Sequence, residues 1–344
     1  MKRLISSVVM IWIVSLIWAQ YPKNPIKPSL AKDRISAAKQ RLEASKQSIY
    51  TSIPATNIGP TIMSGRVVDV AVNPANTKHF FVAYAKGGVW ETKNNGQSFT
   101  PIFDNNGYTN NCGALAVDWK GETIYVGTGE ANSSRSSYAG FGMFQASIST
   151  EKYHWEHLGL EATQHIARIL IHPSNPSILY VAALGNLFSP NKERGVYKST
   201  DGGKTWKQVL FISEDVGIID VEFNPNNAEQ LMAAAWDKGR RAWNFWESGA
   251  KSGIYYSKNA GENWEKSTSF IQGDFVGRIG LSTSADGTIY ALLDNQDEFE
   301  KEEKASDKLD KKAFLTMSKD SFLNLNDSVL NKFLKDNRFP EKND

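Results

Sequence analysis

A segment with the same order of parts recurs four times in the chain, about every 50 residues. Each copy opens with an apolar strand that ends at a turn, and the turn residues are Asn73, Asp118, His172 and Asn224. A second apolar strand follows, and a third begins with a Gly-x-aromatic triplet such as Gly195-Val-Tyr197. Apolar and polar residues alternate within the copies, which is the period of a strand and not of a helix. The repeat therefore predicts a series of small antiparallel sheets.

The most specific motif joins the third and fourth strands of the third copy. Residues 199–206 match Ser-x-Asp-x-Gly-x-Thr-Trp at every defined position, namely Ser199, Asp201, Gly203, Thr205 and Trp206. Relaxed copies in the same register retain Asn94, Gly96, Asn259, Gly261 and Trp264. The Asp or Asn can accept backbone N–H bonds, the Gly tolerates positive φ, and the Trp can pack on the sheet. The motif predicts a structural turn and not a catalytic Asp.

These turns resemble those of the Asp-box, or bacterial neuraminidase repeat (BNR), β-propellers, a secreted group that includes sialidases, xyloglucan-cleaving glycosidases and sortilin-type receptors. Residues 58–60, 64–69, 87–90, 127–130 and 165–168 are most similar to exported bacterial proteins with a sortilin-type N-terminal propeller. The pattern and the resemblance together imply an all-β fold, a β-propeller of four-stranded Asp-box blades. We expect four complete blades, the start of a fifth, and a short helical C-terminal insertion.

Composition divides the chain into four parts. Residues 1–20 carry Lys2 and Arg3 before an apolar stretch that ends at Ala19, which predicts a signal peptide cleaved near Ala19 or Gln20 and a secreted or periplasmic protein. Residues 21–56 form a polar linker with a short helix, residues 57–295 the blades, and residues 296–344 a charged helical insertion or tail. Because the fifth blade stays incomplete, we expect further blades in a longer chain. After signal cleavage we expect no stable membrane insertion.

The charge balance and the residue spacing exclude several classes of partner. The formal net charge is +2, from 39 basic and 37 acidic side chains, so we expect no nucleic-acid partner. The His residues lack metal-ligand spacing, and there is no phosphate-binding Gly loop, so we expect no metal and no cofactor. The single Cys112 cannot form an intrachain disulfide.

The innermost strands provide the first candidate ligand-binding residues. Alignment of the first strands by their turns places Asp69, Ala114, Arg168, Asp220 and Arg278 at one equivalent position. First strands line the channel of a propeller, where these charges would either bind a polar ligand or form ion pairs between neighbouring blades.

Two long loops provide the remaining candidates. The blade-two loop carries Glu130, Asn132 and Arg135, and the blade-four loop carries Arg240, Arg241, Trp243 and Trp246. Aromatic rings stack on sugars and extended peptides, and Arg binds carboxylates. The alternative for the blade-four loop is that it folds back over the propeller face, with its aromatic rings buried against the next blade. Glu130 is the best acid–base candidate, although glycoside hydrolysis needs a second carboxylate at a defined separation.

Two functions therefore remain open. The first is a binding module for peptide or carbohydrate ligands, as the sortilin-type resemblance implies; the alternative is a glycoside hydrolase of the Asp-box group. In the xyloglucan-cleaving relatives, a Thr-Asp-x-Gly-Gly-aromatic stretch supplies the general base. The matching stretch here, residues 84–90, has Ala85 in place of that Asp. Because alanine cannot accept a proton, the sequence favours binding over catalysis.

Overall fold

The computed structural model describes residues 27–53, 65–132, 134, 137–240, 245–269, 275–297, 309, 313–314 and 317–339. Its contacts divide the chain into two compact units, Met1–Asp297 and Glu298–Asp344. The predicted signal peptide lies outside the described residues, and so do Arg135, Arg241 and Trp243.

A helix, α1 (Ala31–Lys46), forms within the predicted polar linker and is followed by a short 3-10 turn, Ile49–Ser52. The helix lies against loops that join successive blades. Arg34 donates to the Glu161 carbonyl at 3.2 Å and lies 4.7 Å from the centre of the Phe141 ring, and Arg41 donates to the Gly107 carbonyl at 2.9 Å. The helix therefore covers the edge of the strand region.

Each of the four repeats forms a four-stranded antiparallel sheet with its strands in chain order, which confirms the predicted blades. Blade one contains β1 (Val67–Val72), β2 (Phe80–Tyr84), β3 (Gly88–Thr92) and β4 (Thr100–Pro101). Blade two contains β5 (Cys112–Asp118), β6 (Thr123–Thr128), β7 (Met143–Ser147) and β8 (Glu156–His157). Blade three contains β9 (Ile166–Ile171), β10 (Leu179–Ala183), β11 (Gly195–Ser199) and β12 (Lys207–Leu210).

Blade four carries an additional hairpin. Its sheet contains β13 (Val216–Asn224), β14 (Asn227–Asp237), β17 (Gly253–Ser257) and β18 (Glu265–Lys266), and the hairpin between its second and third strands is β15 (Gly239–Arg240) with β16 (Phe245–Trp246). The fifth sheet has two described strands, β19 (Val276–Thr283) and β20 (Ile289–Asn295). The first strands β1, β5, β9, β13 and β19 lie side by side in that order.

The second unit contains two short helices, α2 (Lys319–Leu323) and α3 (Asp327–Asp336). The Asn326 side chain accepts a hydrogen bond from the Ser328 N–H at 2.9 Å and so caps α3. The predicted helical insertion is therefore confirmed.

Buried apolar side chains fill the spaces between consecutive blades. Phe81, Phe103 and Phe144 belong to one such cluster, to which blades one and two both contribute. Indole N–H groups add hydrogen bonds across the same joints. Trp155 donates to the Ile102 carbonyl of blade one at 2.7 Å, and Trp206 of blade three donates to the carbonyl of Leu158, which follows β8 of blade two, at 2.8 Å. Blades two and three are thus each held to the preceding blade by apolar burial and by a directional bond.

The motif at residues 199–206 forms a closed hydrogen-bonded turn between β11 and β12. Ser199 Oγ accepts from the Gly203 N–H at 2.8 Å, and Asp201 Oδ1 accepts from the Thr205 N–H at 2.9 Å. Gly203 has φ +90°, which an L side chain rarely adopts. Hydrogen bonds from Thr205 lower the Asp201 pKa to about 2, so this carboxylate stays ionised in its turn.

The relaxed copies form the same turn. The Asn259 side-chain oxygen accepts from the Asn263 N–H at 3.0 Å, and the Asn94 oxygen accepts from the Ser98 N–H at 2.9 Å. Gly261 and Gly96 donate to the hydroxyl that opens each motif, at 2.9 Å in both turns. Trp264 differs from Trp206, because its indole N–H donates within its own turn, to the Gly261 carbonyl at 3.0 Å.

Candidate functional site

Two of the predicted channel residues connect neighbouring blades. Asp69 Oδ2 accepts the backbone N–H of Leu115 at 2.9 Å, and Asp220 Oδ2 accepts that of Leu281 at 2.9 Å. In each case the other oxygen accepts the next N–H of its own strand. Burial raises the pKa of both carboxyls, and the backbone bonds oppose that rise. The structure thus gives both side chains a role in joining first strands.

Arg168 joins two carboxylates of blade four. Its Nη2 donates to Glu222, and its Nε lies 3.6 Å from Asp220 Oδ1. Glu222 was absent from the sequence-derived candidates, although it lies two residues after Asp220 and so shares its strand face. The structure therefore shows an ion-pair network between blades three and four at the predicted position.

The structure corrects the alignment of Arg278. In each of the first four blades the residue at this position, Asp69, Ala114, Arg168 or Asp220, lies opposite an equivalent residue of the second strand. The corresponding residue of the fifth sheet is Gly280, which pairs with Leu292. The fifth hairpin turns at residues 284–288, where Gly287 has φ +91° and the Thr288 N–H donates to Asp286. Its first strand consequently runs further before the turn than the sequence alignment assumed, and Arg278 lies two residues earlier.

Arg278 instead belongs to a group of side chains where the first strands begin and the second strands end. We call this group the mouth cluster, and it contains Arg66, Glu130, Asn132, Trp236, Lys238 and Arg278. Arg278 Nη1 donates to Asn132 Oδ1 at 2.7 Å, and its guanidinium lies 6.0 Å from the centre of the Trp236 ring. These contacts bring together the blade-two loop, the end of β14 and the start of β19.

Glu130 is the buried anion of the mouth cluster, with its side chain 1% exposed. Its Oε1 lies 2.7 Å from Arg66 Nη2, and its Oε2 accepts from the Ser137 hydroxyl. Both oxygens are therefore engaged, by a residue before β1 and by a residue in its own loop. The pair with Arg66 fixes the loop against blade one.

The blade-two loop reaches beyond its own blade. Ala131 belongs to the same buried apolar cluster as Leu184 of blade three and Trp236 of blade four. The Trp236 indole N–H donates to the Glu247 carbonyl at 2.7 Å, which holds the ring in place. Glu130 and Asn132, two of the predicted loop candidates, therefore both lie in the mouth cluster.

The blade-four loop forms the hairpin β15–β16, in which Arg240 pairs with Phe245 and Gly239 with Trp246. The Arg240 guanidinium lies 5.4 Å from the centre of the Phe245 ring, and Phe245 is 56% exposed. The Trp246 ring packs directly on the Gly239 backbone, where a Cβ would come within 2.1 Å of it. The hairpin places a cation and an exposed ring beside Lys238.

Lys238 was not among the sequence-derived candidates, yet it is the most unusual charge of the mouth cluster. It is 2% exposed, and its Nζ lies 4.9 Å from the centre of the Trp236 ring. Within the described part of the chain, no carboxylate oxygen lies within 4.0 Å of this ammonium. Burial lowers its pKa to about 7, and the negative charge of Glu247 limits the decrease.

A buried polar group lies in blade three, and the charge of Lys238 acts on its His165. His165 Nδ1 donates to the Gly185 carbonyl at 2.9 Å, and burial lowers the His165 pKa to about 3, so the ring is neutral. Its Nε2, the Ser189 hydroxyl and the Asn191 carbonyl oxygen are buried without hydrogen-bond partners among the described residues. Unsatisfied polar atoms are costly to bury, so their grouping marks this region as a candidate binding site. No local sequence pattern indicated it.

No group of three or more His, Cys, Asp or Glu side chains suited to a metal ion occurs among the residues that the structure describes. Within the same residues, no helix has the length and apolar character needed to cross a membrane.

Neither a protein-family model nor a curated protein sequence matches the chain. Several solved structures match the chain in fold. An ancestral GH74 enzyme matches with a TM-score of 0.52 at 19% identity, over 69% of this chain and 30% of that one. The GH74 xyloglucanase from Xanthomonas campestris matches with a TM-score of 0.48 at 16% identity, over 67% and 34%. YCF48 from Cyanidioschyzon merolae matches with a TM-score of 0.42 at 12% identity, over 69% and 66%.

The chain therefore spans only about a third of the two GH74 proteins, and at these identities the similarity concerns the fold alone. The four blades are consistent with a propeller fold, because each is a four-stranded antiparallel sheet whose first strand lies beside the first strands of its neighbours. The chain has the fold of an all-β propeller with a small helical insertion.

Proposed function

We propose that this chain is an exported Asp-box β-propeller, of the sortilin-type group, that binds a peptide or a glycan at the mouth cluster. Lys238 carries the proposal, because it is a buried ammonium without a carboxylate partner in the described residues. Buried charges are normally paired, and a ligand with a negative group would supply the missing partner. The exposed Phe245 offers a ring to the remainder of such a ligand.

The cations of the mouth cluster favour an anionic ligand group over a neutral one. Arg278 donates to an amide oxygen and not to a carboxylate, and Arg66 already holds Glu130. Lys238 is thus the cation of the mouth cluster whose charge is least compensated by neighbouring groups. An acidic glycan or a peptide with a carboxylate fits this arrangement, and the exclusion of water would strengthen the attraction.

The alternative is a glycoside hydrolase of the Asp-box group, for which Glu130 would have to transfer protons. Its two oxygens are held by Arg66 and Ser137, an arrangement suited to a fixed anion. Ala85, at the position of the relatives' general base, is 2% exposed and donates its backbone N–H to the Arg66 carbonyl. A hydrolase needs two opposed carboxylates, and Glu130, the carboxylate of the mouth cluster, is already engaged.

The proposal can be tested on the purified full chain with arrays of acidic peptides and acidic glycans, followed by calorimetry on the strongest binders. We expect Lys238→Met to weaken binding by tenfold or more, since about 1.4 kcal/mol corresponds to a factor of ten. Lys258→Met serves as the control, because Lys258 is an exposed lysine of blade four. Binding that is equal in both variants, or the lack of any anionic binder, would contradict the proposal.

A further inference from the structure

The second strand of the fifth sheet, β20, has one edge with no strand beside it among the described residues. In each complete blade the second strand lies between the first and the third, whereas β20 pairs only with β19. None of its residues belongs to the mouth cluster. This edge is therefore a candidate interaction surface separate from the proposed ligand site.

The strand register shows which backbone groups of β20 face this open edge. Ser284 donates its N–H to the Thr288 carbonyl at 2.9 Å, and hydrogen-bonded pairs alternate along an antiparallel hairpin. Residues 290 and 292 thus bond to β19, and the N–H and C=O groups of residues 289, 291 and 293 point away from it. Blade two agrees, because Thr128, the counterpart of Leu293, donates its N–H to the Gly142 carbonyl before the third strand at 3.0 Å.

The open edge lacks the features that commonly keep an edge strand from pairing. Residues 289–293, Ile-Tyr-Ala-Leu-Leu, contain no charged residue and no Pro. Leu292 is 82% exposed, whereas its counterparts in blades one, three and four have no exposed surface, namely Ala83, Ala182 and Ala234. The strand β20 is therefore an apolar strand that is open to a further strand.

The complete blades show which kind of strand fits at this edge. Each third strand carries a Gly-apolar-aromatic triplet at its start, namely Gly88-Val-Trp90, Gly142-Met-Phe144, Gly195-Val-Tyr197 and Gly253-Ile-Tyr255. In blade three the Gly, the apolar residue and the aromatic residue pair with Ala183, Ala182 and Val181. Residues 296–344 contain no Gly, so the segment that follows β20 in this sequence has no such triplet.

We infer that the open edge of β20 binds an extended peptide strand of a partner protein, and that this strand carries a Gly-apolar-aromatic triplet. The counterparts of the paired blade-three residues are Leu293, Leu292 and Ala291. The Gly would lie opposite Leu293, and the apolar side chain would lie beside Leu292. The aromatic residue would exchange main-chain hydrogen bonds with Ala291. These bonds supply the affinity, and the side chains of the triplet supply the specificity.

The test measures the binding of fluorescent peptides to the full chain by fluorescence anisotropy. The probe is a peptide with the sequence of residues 251–258, which contains Gly253-Ile-Tyr255. We expect a Kd of about 100 μM or below, and binding at least about tenfold weaker for a scrambled peptide of the same composition. The probe carries Lys251 and Lys258 and no acidic residue, so it differs in charge from the anionic ligands expected at the mouth cluster.

Two changes test the strand pairing itself. Ala291→Pro removes an N–H on the open edge and should weaken binding by about tenfold or more. N-methylation of the probe at the position of Tyr255 should weaken binding equally, because that N–H would face β20. N-methylation at the position of Ile254 is the matched control and should retain binding, since that N–H would face away. This comparison leaves the protein unchanged, so it holds even where Ala291→Pro fails to fold.

The inference is overturned if the probe does not bind, if the scrambled peptide binds equally, or if the two N-methylated probes bind alike. Loss of probe binding in Lys238→Met would place the peptide in the mouth cluster and would also overturn it. Failure at the β20 edge leaves the binding of anionic ligands at Lys238 unaffected, so the two proposals fail separately.

Discussion

The carboxylate of Asp69 in blade one accepts the backbone N–H of Leu115 in blade two at 2.9 Å, and it thereby joins two adjacent first strands. Asp220 repeats the arrangement toward Leu281. The same contact thus recurs at two blade joints, three blades apart. It explains why acidic residues are placed on strands that are otherwise apolar.

We expect Asp69→Ala to destabilise the chain by about 1–3 kcal/mol, because the Leu115 N–H would lose its acceptor while remaining buried. Urea unfolding measures the change. Glu214→Ala removes an exposed carboxylate as the control and should have little effect. Equal stability of the Asp69→Ala variant and the wild type would show that the contact between strands contributes nothing.

The Trp206 indole should contribute through its bond to the preceding blade. Trp206→Phe removes the donor to the Leu158 carbonyl and some apolar contact, so we expect a loss of about 1–3 kcal/mol in thermal or urea unfolding. Trp264→Phe is the comparison, because that indole donates only within its own turn. A larger effect at Trp264 than at Trp206 would contradict the proposed importance of the blade joint.

Lys238 should make stability depend on pH. Its pKa in the folded chain is about 7, below the ordinary value of 10.5, so the unfolded chain binds more protons between these values. Stability is therefore expected to rise from about pH 7 toward pH 10.5, by up to about 1.4 kcal/mol per pH unit, and to be lost as the pH falls. Urea unfolding at several pH values should show a smaller slope for Lys238→Met than for Lys258→Met. The same slope in both variants would refute the assignment.

The contact between Asn132 and Arg278 should couple the blade-two loop to the fifth sheet. A double-mutant cycle with Asn132→Ala and Arg278→Met is expected to give an interaction energy of about 0.5–3 kcal/mol. Additive effects of the two substitutions would mean that the hydrogen bond makes no net contribution.

Local patterns determined most of what the sequence could predict. The bounds of β1, β2 and β6 coincide with the apolar runs between turn residues, because strand alternation and turn chemistry act over a few neighbouring residues. The hairpin β15–β16 was predicted only as a loop, since its four paired residues carry no alternating pattern.

The site was harder to predict because it depends on contacts between blades. Lys238 appears in the sequence as one charge in a basic loop, and only the fold buries it and places its ammonium 4.9 Å from the centre of the Trp236 ring. Arg278 was assigned to the wrong strand position because the fifth hairpin turns later than the first four suggested. Glu222 could have been found, because it shares a strand face with Asp220.

An assay for catalysis by Glu130 is the most direct test of the central proposal, which is that this propeller binds its ligand and does not hydrolyse it. The full chain is incubated with xyloglucan and with a sialylated substrate, beside Glu130→Gln, and released sugars are quantified over time. We expect no release above the blank for either protein, because both Glu130 oxygens are engaged and position 85 carries only a methyl group. Turnover by the wild type that Glu130→Gln abolishes would contradict the account and make Glu130 catalytic.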